Sequence, residues 1–414
     1  MFRFIINASY RYNNKTTAAP TIINARRRAQ PFFTFGLFEV GSIQYRRIGI
    51  TSGLFMIIVD AHEDIAYNAL CYGRDYRRAA WETRRLEADS ETVKQRGMAT
   101  VGLPDSLLGR VGLVFATLFV APYDGTDDKP WSKLTYHTPR QAYDLAMQQL
   151  DYYNRLADED ERVRLVKTAA DLDAVLATWS DGTELGDHRQ GLALLMENAD
   201  PILEPKQFEE WYERGVRIVG PAWEATRYSG GTGYPGPLTA LGFELLDVMA
   251  GFNALLDLSH MAETAFLQAV DYYAGPVIAS HSNPRRFRNS DRHLSDLMIR
   301  RLAERDGVMG IVLFNAFLSD TYKKGDSKTA VPLDAAIEAV DYICQLTGSA
   351  AFVGIGSDFD GGFGAEHIPD GLDTTSDLWL IGEKLRARGY AGPDIEAILG
   401  GNMLRKLRQV LPSG

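Results

Sequence analysis

Five stretches of the 414-residue chain place metal-ligand side chains where an extended apolar run stops. The first reads Val59-Asp60-Ala61-His62-Glu63-Asp64, and His62 and Asp64, two residues apart on an extended chain, project to the same side. The others end in Met196-Glu197, Leu258-Ser259-His260, Ala279-Ser280-His281 and Gly356-Ser357-Asp358. Each is weak alone, because a lone histidine is more often a satisfied structural residue and a lone carboxylate after a strand more often caps a helix or meets solvent. Five together, in a chain with only seven histidines, shift the balance towards a metal site. The remaining histidines, His137, His188, His293 and His367, fall in helix starts or loops and read as surface residues. Imidazole with carboxylate, and no thiolate on offer, is a common catalytic zinc environment. Two ions about 3.5–4 Å apart could share Glu197 and a hydroxide, which lowers the pKa of the water towards about 7. Hydrolysis is the reaction class that follows.

Such residues need elements that bring them to one place. From Met56 onward, short apolar runs alternate with amphipathic stretches, the pattern of repeated βα units. Eight runs read as strands, over 57–60, 111–120, 191–197, 216–221, 254–258, 277–280, 308–315 and 351–357. Each is nearly all apolar, as for parallel strands covered on both faces. Helix-like segments over 140–157, 172–178, 207–214, 238–251, 261–273, 295–304, 334–346 and 375–388 alternate with them, with Asp334 placed to begin one and Gly389 to end another. Eight units point to a (β/α)8 barrel as a single large domain, with a doubly wound open sheet as the alternative. In a barrel the active site lies at the C-terminal mouth of the strands, where the five motifs fall. The longest insertion, 121–190, could cover one mouth.

Composition bounds the partners. The chain is 45% hydrophobic, has a net charge of −10 and contains no apolar stretch long enough for a transmembrane helix. The acidic balance argues against nucleic acid or anionic lipid as a partner. Cys71 and Cys344 suggest reduced thiols in a cytoplasmic protein, with a single disulfide as the alternative. Residues 1–55 carry eight basic side chains against Glu39 alone, a charge of +7 that leaves −17 for the rest. This segment reads as a poorly ordered extension, transit-peptide-like in composition but without an amphipathic helix. Met56, directly before the first strand, reads as the true start, and 56–414 as the hydrolase domain.

The fragments Asp60-Ala61-His62-Glu63-Asp64, Met196-Glu197-Asn198, Asp257-Leu258-Ser259-His260-Met261, Ala279-Ser280-His281-Ser282, Gly356-Ser357-Asp358-Phe359-Asp360-Gly361 and Gly400-Gly401-Asn402 follow one another in an order that resembles the membrane (renal) dipeptidase family of zinc peptidases, within the amidohydrolase superfamily. The resemblance implies two zinc ions per chain, one on His62 and Asp64, the second on His260 and His281, with Glu197 bridging both. It implies that the bridging hydroxide attacks the peptide carbonyl of a small dipeptide, that Asp358 shuttles the proton, and that Arg292 grips the substrate carboxylate. Arg285, Arg286 and Arg288 lie close enough in sequence to take that last role. Trp223 stands where mammalian-type dipeptidases carry a histidine that polarises the scissile carbonyl, and an indole N–H donates a hydrogen bond but takes no charge. Trp223 is therefore either a substrate contact or a packing residue, and it keeps open an enzyme for another small amide or a lactone. A non-catalytic metal-binding barrel is the alternative of another class. The family also carries the expectation of a homodimer, while the C-terminal residues 405–414 lack the apolar tail of a lipid-anchor signal.

Overall fold

The eight apolar runs become eight parallel strands: β1 (Ile58–Glu63), β2 (Val111–Phe119), β3 (Gln190–Glu197), β4 (Val216–Gly220), β5 (Leu255–Asp257), β6 (Val277–Ala279), β7 (Val308–Ile311) and β8 (Val353–Ile355). Every residue in them is buried, which is why they read as near-continuous apolar runs rather than alternating ones. Each strand pairs with the next, and β8 returns to β1 through Ile355 opposite Asp60. That last pairing closes the ring and rules out the open sheet. In this computed structural model the described residues are 37–40, 43–46 and 57–414, apart from 124, 126–133, 181 and 324. Within residues 1–55, Leu37–Val40 and Ile43–Arg46 pair antiparallel; the expectation of a poorly ordered extension otherwise falls outside the described residues.

Local chemistry sets the helix ends. Pro139–Glu159 starts behind a capping box in which Thr138 and Gln141 exchange side-chain-to-backbone bonds. Asp334–Thr347 begins where expected, and Gly389, at φ 101°, ends Leu380–Arg388. Residues 375–388 are not one helix: Thr375–Asp377 is a separate short turn capped by Thr374. The seventh strand stops at Ile311, short of 315, because Val312 bonds through both its N–H and its carbonyl to the side chain of Asn283, at 2.8 and 3.1 Å, instead of continuing a ladder. Between β1 and β2 the chain forms Ile65–Tyr72, Ala80–Glu87, Glu91–Arg96 and Leu103–Leu108, helices too short to show a clear period. In the 121–190 insertion, Val163–Leu165 adds a strand beside the beginning of β3, outside the ring.

Two histidines assigned to the surface are buried. His293 is fully buried, its ring edge-on to Phe317 at 4.6 Å, and His188 is stacked on Trp179 at 4.0 Å. In both cases a neighbouring aromatic ring covers the imidazole, and polar flanking sequence hides that. Among these four histidines His137 alone is exposed. Cys71 and Cys344 are both buried and not bonded to each other. Among the described residues no helix is long and apolar enough to cross a membrane.

The far end of the barrel is tied by the Gly400-Gly401-Asn402 motif. A Cβ at Gly400 would stand 2.6 Å from the Ile57 carbonyl oxygen, and the Asn402 amide donates to the carbonyls of Ala350 and Val353 at 2.8 and 2.9 Å. The motif thus holds the entries of β1 and β8 and takes no part in the mouth. At the exit of β6, a Cβ at Gly310 or Gly356 would come within 1.9 or 2.0 Å of the Ser280 carbonyl oxygen. Gly310→Ala must push this strand end, which carries His281, out of place. The expected cost is about 1–3 kcal/mol or more, read as a lower urea midpoint with an unchanged slope; a wild-type midpoint would contradict the close approach.

Candidate active site

The strand ends converge on one cavity of about 590 Å³, lined by His62, Asp64, Glu197, His260, His281, Asp358, Arg292 and Trp223 among others. All the site residues expected from sequence therefore meet. Glu197 lies at their centre, only 4% exposed. Its Oε2 is 3.5 Å from Nε2 of His62, while its Oε1 is 3.2 Å from Nε2 of His260 and 3.3 Å from Nε2 of His281. The Nε2 atoms of His260 and His281 are 3.0 Å apart. His62 Nε2 also lies 3.8 Å from an oxygen of Asp64 and 3.8 Å from one of Asp358. Three imidazoles and three carboxylates aimed at one volume, with no thiolate, form a donor set that fits divalent cations taking nitrogen and oxygen ligands.

Residues one layer back aim this set. Asp60 accepts from the backbone N–H groups of His62 and Ser357, at 3.3 and 2.8 Å, and from the Ser357 hydroxyl, so it joins the exit of β1 to that of β8. Asp257 repeats the device between β5 and β6. It accepts from the N–H groups of Ser259 and Ser280 at 3.0 and 2.8 Å and from the Ser280 hydroxyl at 2.5 Å. Ser280 Oγ lies 2.8 Å from Nδ1 of His281, and Thr232 Oγ1 3.1 Å from Nδ1 of His260, which turns both Nε2 atoms inward. Thr117 Oγ1 donates to Asp64 at 2.5 Å. His62 has no partner at Nδ1; its ring is held instead by stacking on His281, with centroids 3.5 Å apart. Sequence reading gave no role to Asp60, Asp257, Ser280, Thr117 or Thr232. The recurrence of aspartate two or three residues before a site histidine was the available signal for the first two. Thr232 comes from a hairpin, Ser229–Gly231 with Tyr234–Leu238, that no local pattern announces.

Backbone geometry at the rim is unusual in the same places. Asn198, His260, Asp358 and Asp360 all adopt positive φ, between 58° and 79°, a conformation costly for residues with a Cβ and concentrated at functional sites.

Charge follows from burial. Burial raises the pKa of Glu197 and pushes that of Asp358 well above the ordinary carboxylate range, where neighbouring Asp64 and Glu197 add to it. For His62 burial opposes protonation, yet the carboxylates of Glu197, Asp64 and Asp358 prevail and raise it to about 10. His260 and His281 are driven well below their usual value by burial, with the positive charges of Arg292 and His62 acting in the same direction.

Arg292, 7% exposed, donates to the His281 carbonyl at 2.7 Å and to Ser282 Oγ at 3.3 Å, and its guanidinium lies over the Phe317 ring. It lines the cavity. Its rivals turn elsewhere: Arg285 pairs with Glu263 at 2.7 Å, Arg288 bonds the Asp320 carbonyl and Arg286 lines a separate surface groove. Trp223, half-buried just past β4, lies edge-on to Phe119 at 5.1 Å with its ring 6.1 Å from that of His260. It both packs and faces the cavity.

Known proteins share this plan. The family model described as membrane dipeptidase, peptidase family M19, matches residues 54–412. A protein of Klebsiella pneumoniae, described as an uncharacterized protein in the pqqA 5' region, is 32% identical over 66% of this chain and 98% of its own. Dipeptidase 3 of Mus musculus is 27% identical over 66% of this chain, which spans about half (52%) of that protein. Among solved structures, a metallopeptidase of Rhodobacter sphaeroides, liganded with a phosphinate mimic of the dipeptide L-Ala-D-Ala, superposes with a TM-score of 0.69 at 22% identity, over 86% of this chain and 99% of that one. That last likeness is one of fold. With nearly the whole barrel matched by the family model, the chain belongs to the membrane dipeptidase family, the M19 metallopeptidases.

Proposed function

We propose that this member of the family binds two zinc ions, one on His62 and Asp64 and one on His260 and His281, bridged by Glu197, and that it hydrolyses dipeptides. The observation that carries the reading is the division of the Glu197 carboxylate: one oxygen faces His62 and the other faces the His260–His281 pair. Zinc held by these residues would acidify a water enough to act as a nucleophile at neutral pH and would stabilise negative charge developing on the carbonyl oxygen.

The chain's own groups do the rest. Asp358 has its carboxyl on the His62 side of the site, 3.8 Å from the His62 Nε2. It takes the proton of the attacking water and returns it to the leaving amine. Arg292, locked by two bonds and buried, presents its guanidinium to the cavity and holds the substrate's terminal carboxylate. A fixed cation at that place limits the substrate to one residue on the C-terminal side of the scissile bond.

Trp223 supports a second reading, an amidohydrolase for another small amide or a lactone, because its indole brings no charge to the carbonyl. One panel separates the two. L,L- and L,D-dipeptides are expected to be cleaved and cyclic amides and lactones not; a lactone or cyclic amide turned over faster than every dipeptide would establish the second reading. In the same assay Asp358→Asn is expected to lower kcat by about 10²–10⁴-fold at unchanged metal content and unfolding midpoint, and near-full activity would remove Asp358 from the mechanism.

Metal uptake carries a pH signature. With the His62 pKa raised to about 10 in the metal-free protein, a cation must displace its proton, so protons are released on binding and affinity falls as pH falls. Chelator competition with zinc between about pH 6 and 9 is expected to show tighter binding at the alkaline end; an affinity independent of pH would contradict His62 as a ligand.

A further inference from the structure

The cavity has two aromatic walls, one following β7 and β8 and the other following β1, β2 and β4. Phe314, Phe317 and Phe363 follow β7 and β8 on the side of Arg292, with Phe314 and Phe363 stacked at 4.4 Å and Phe317 beneath the guanidinium. Tyr67, Phe119 and Trp223 come from the exits of β1, β2 and β4. Tyr67 and Phe119 have ring centroids 5.3 Å apart, Phe119 and Trp223 5.1 Å. With Cys71, Ala121 and Leu134 they form an apolar cluster separate from the barrel core. It is not sealed: all three rings line the cavity, and Trp223 is half-exposed beside the ligand histidine His260.

Ring order assigns each wall to one end of the substrate. In a closed ring of eight strands β2 stands opposite β6, and β4 opposite β8. Arg292 follows β6, so a dipeptide whose carboxylate it holds has its C-terminal residue on the β6–β8 arc. The scissile carbonyl then lies over Glu197 and the histidines, and the N-terminal residue extends across the ring towards β2, whose Phe119 packs against both Tyr67 and Trp223. We propose that Tyr67, Phe119 and Trp223 form the subsite for the side chain of the dipeptide's N-terminal residue, and that they select a large apolar or aromatic side chain there. This rests on the dipeptidase reading and on Arg292 as its carboxylate anchor. The physical reason is that a side chain placed against three rings removes apolar surface from water on both partners, whereas glycine leaves those rings wet.

The test is the zinc-loaded protein assayed on two series, Xaa-Gly and Gly-Xaa, with Xaa as Gly, Ala, Leu, Phe and Asp. The kcat/KM for Phe-Gly is expected to exceed that for Gly-Gly by about tenfold or more. Trp223→Ala and Phe119→Ala collapse that ratio, Trp223→Phe retains most of it, and the Gly-Xaa order is the same in all. A Phe-Gly to Gly-Gly ratio that survives both alanine variants, or a change confined to the Gly-Xaa series, overturns the proposal. Phosphinate analogues of Phe-Gly and Gly-Gly, titrated calorimetrically, give the same comparison without turnover, and so separate the two readings. No cleavage of any dipeptide with the Phe analogue still preferred, and preferred less by Trp223→Ala, sinks the dipeptidase reading alone. Equal binding of the two analogues by the wild-type protein sinks the subsite.

Discussion

Three carboxylates gathered around one imidazole are the constraint on which the rest of the structure depends. Nε2 of His62 lies 3.5–3.8 Å from oxygens of Glu197, Asp64 and Asp358, and the ligand atoms of His62, Asp64 and Asp358 all lie within 4.8 Å of one another. Two like charges about 4 Å apart repel by roughly 4 kcal/mol even at an effective dielectric of about 20. Such a cluster needs positive charge. Without metal, the proton on His62 and the Arg292 guanidinium supply part of it, and the upward shifts of Glu197 and Asp358 show that burial is not fully compensated. Divalent cations would answer that need, which fits the metallopeptidase family to which the chain belongs.

Holding like charges together requires a frame that does not yield. A closed ring provides it, and two aspartates fasten its exits: Asp60 joins β1 to β8, and Asp257 joins β5 to β6. Each binds backbone N–H groups of its own strand end and of its neighbour, so His62 beside Asp60, and His260 and His281 beside Asp257, cannot drift without breaking buried hydrogen bonds. Ser280 and Thr232 then set the rotation of His281 and His260. The glycines at 310 and 356 let the backbone that carries His281 pass where any side chain would obstruct it.

Much of this was legible in the sequence, for physical reasons. Strands buried on both faces must be apolar throughout, so all eight stood out, and ligand residues at their exits stood out against them. The strand ends were less legible: whether the chain continues past Ile311 depends on the side chain of Asn283, 29 positions before Val312. His293 and His188 looked like surface residues because nothing local announces Phe317 or Trp179 as cover. Arg292 could be separated from Arg285, Arg286 and Arg288 only when geometry turned one of the four into the cavity. Trp223 was ambiguous between packing and contact, and it does both.

The central claim is that one buried carboxylate, Glu197, organises two cations. Elemental analysis of the zinc-reconstituted, extensively dialysed chain tests it most directly. About two zinc ions per chain are expected, in keeping with a two-ion site. A single ion, or none, would contradict it.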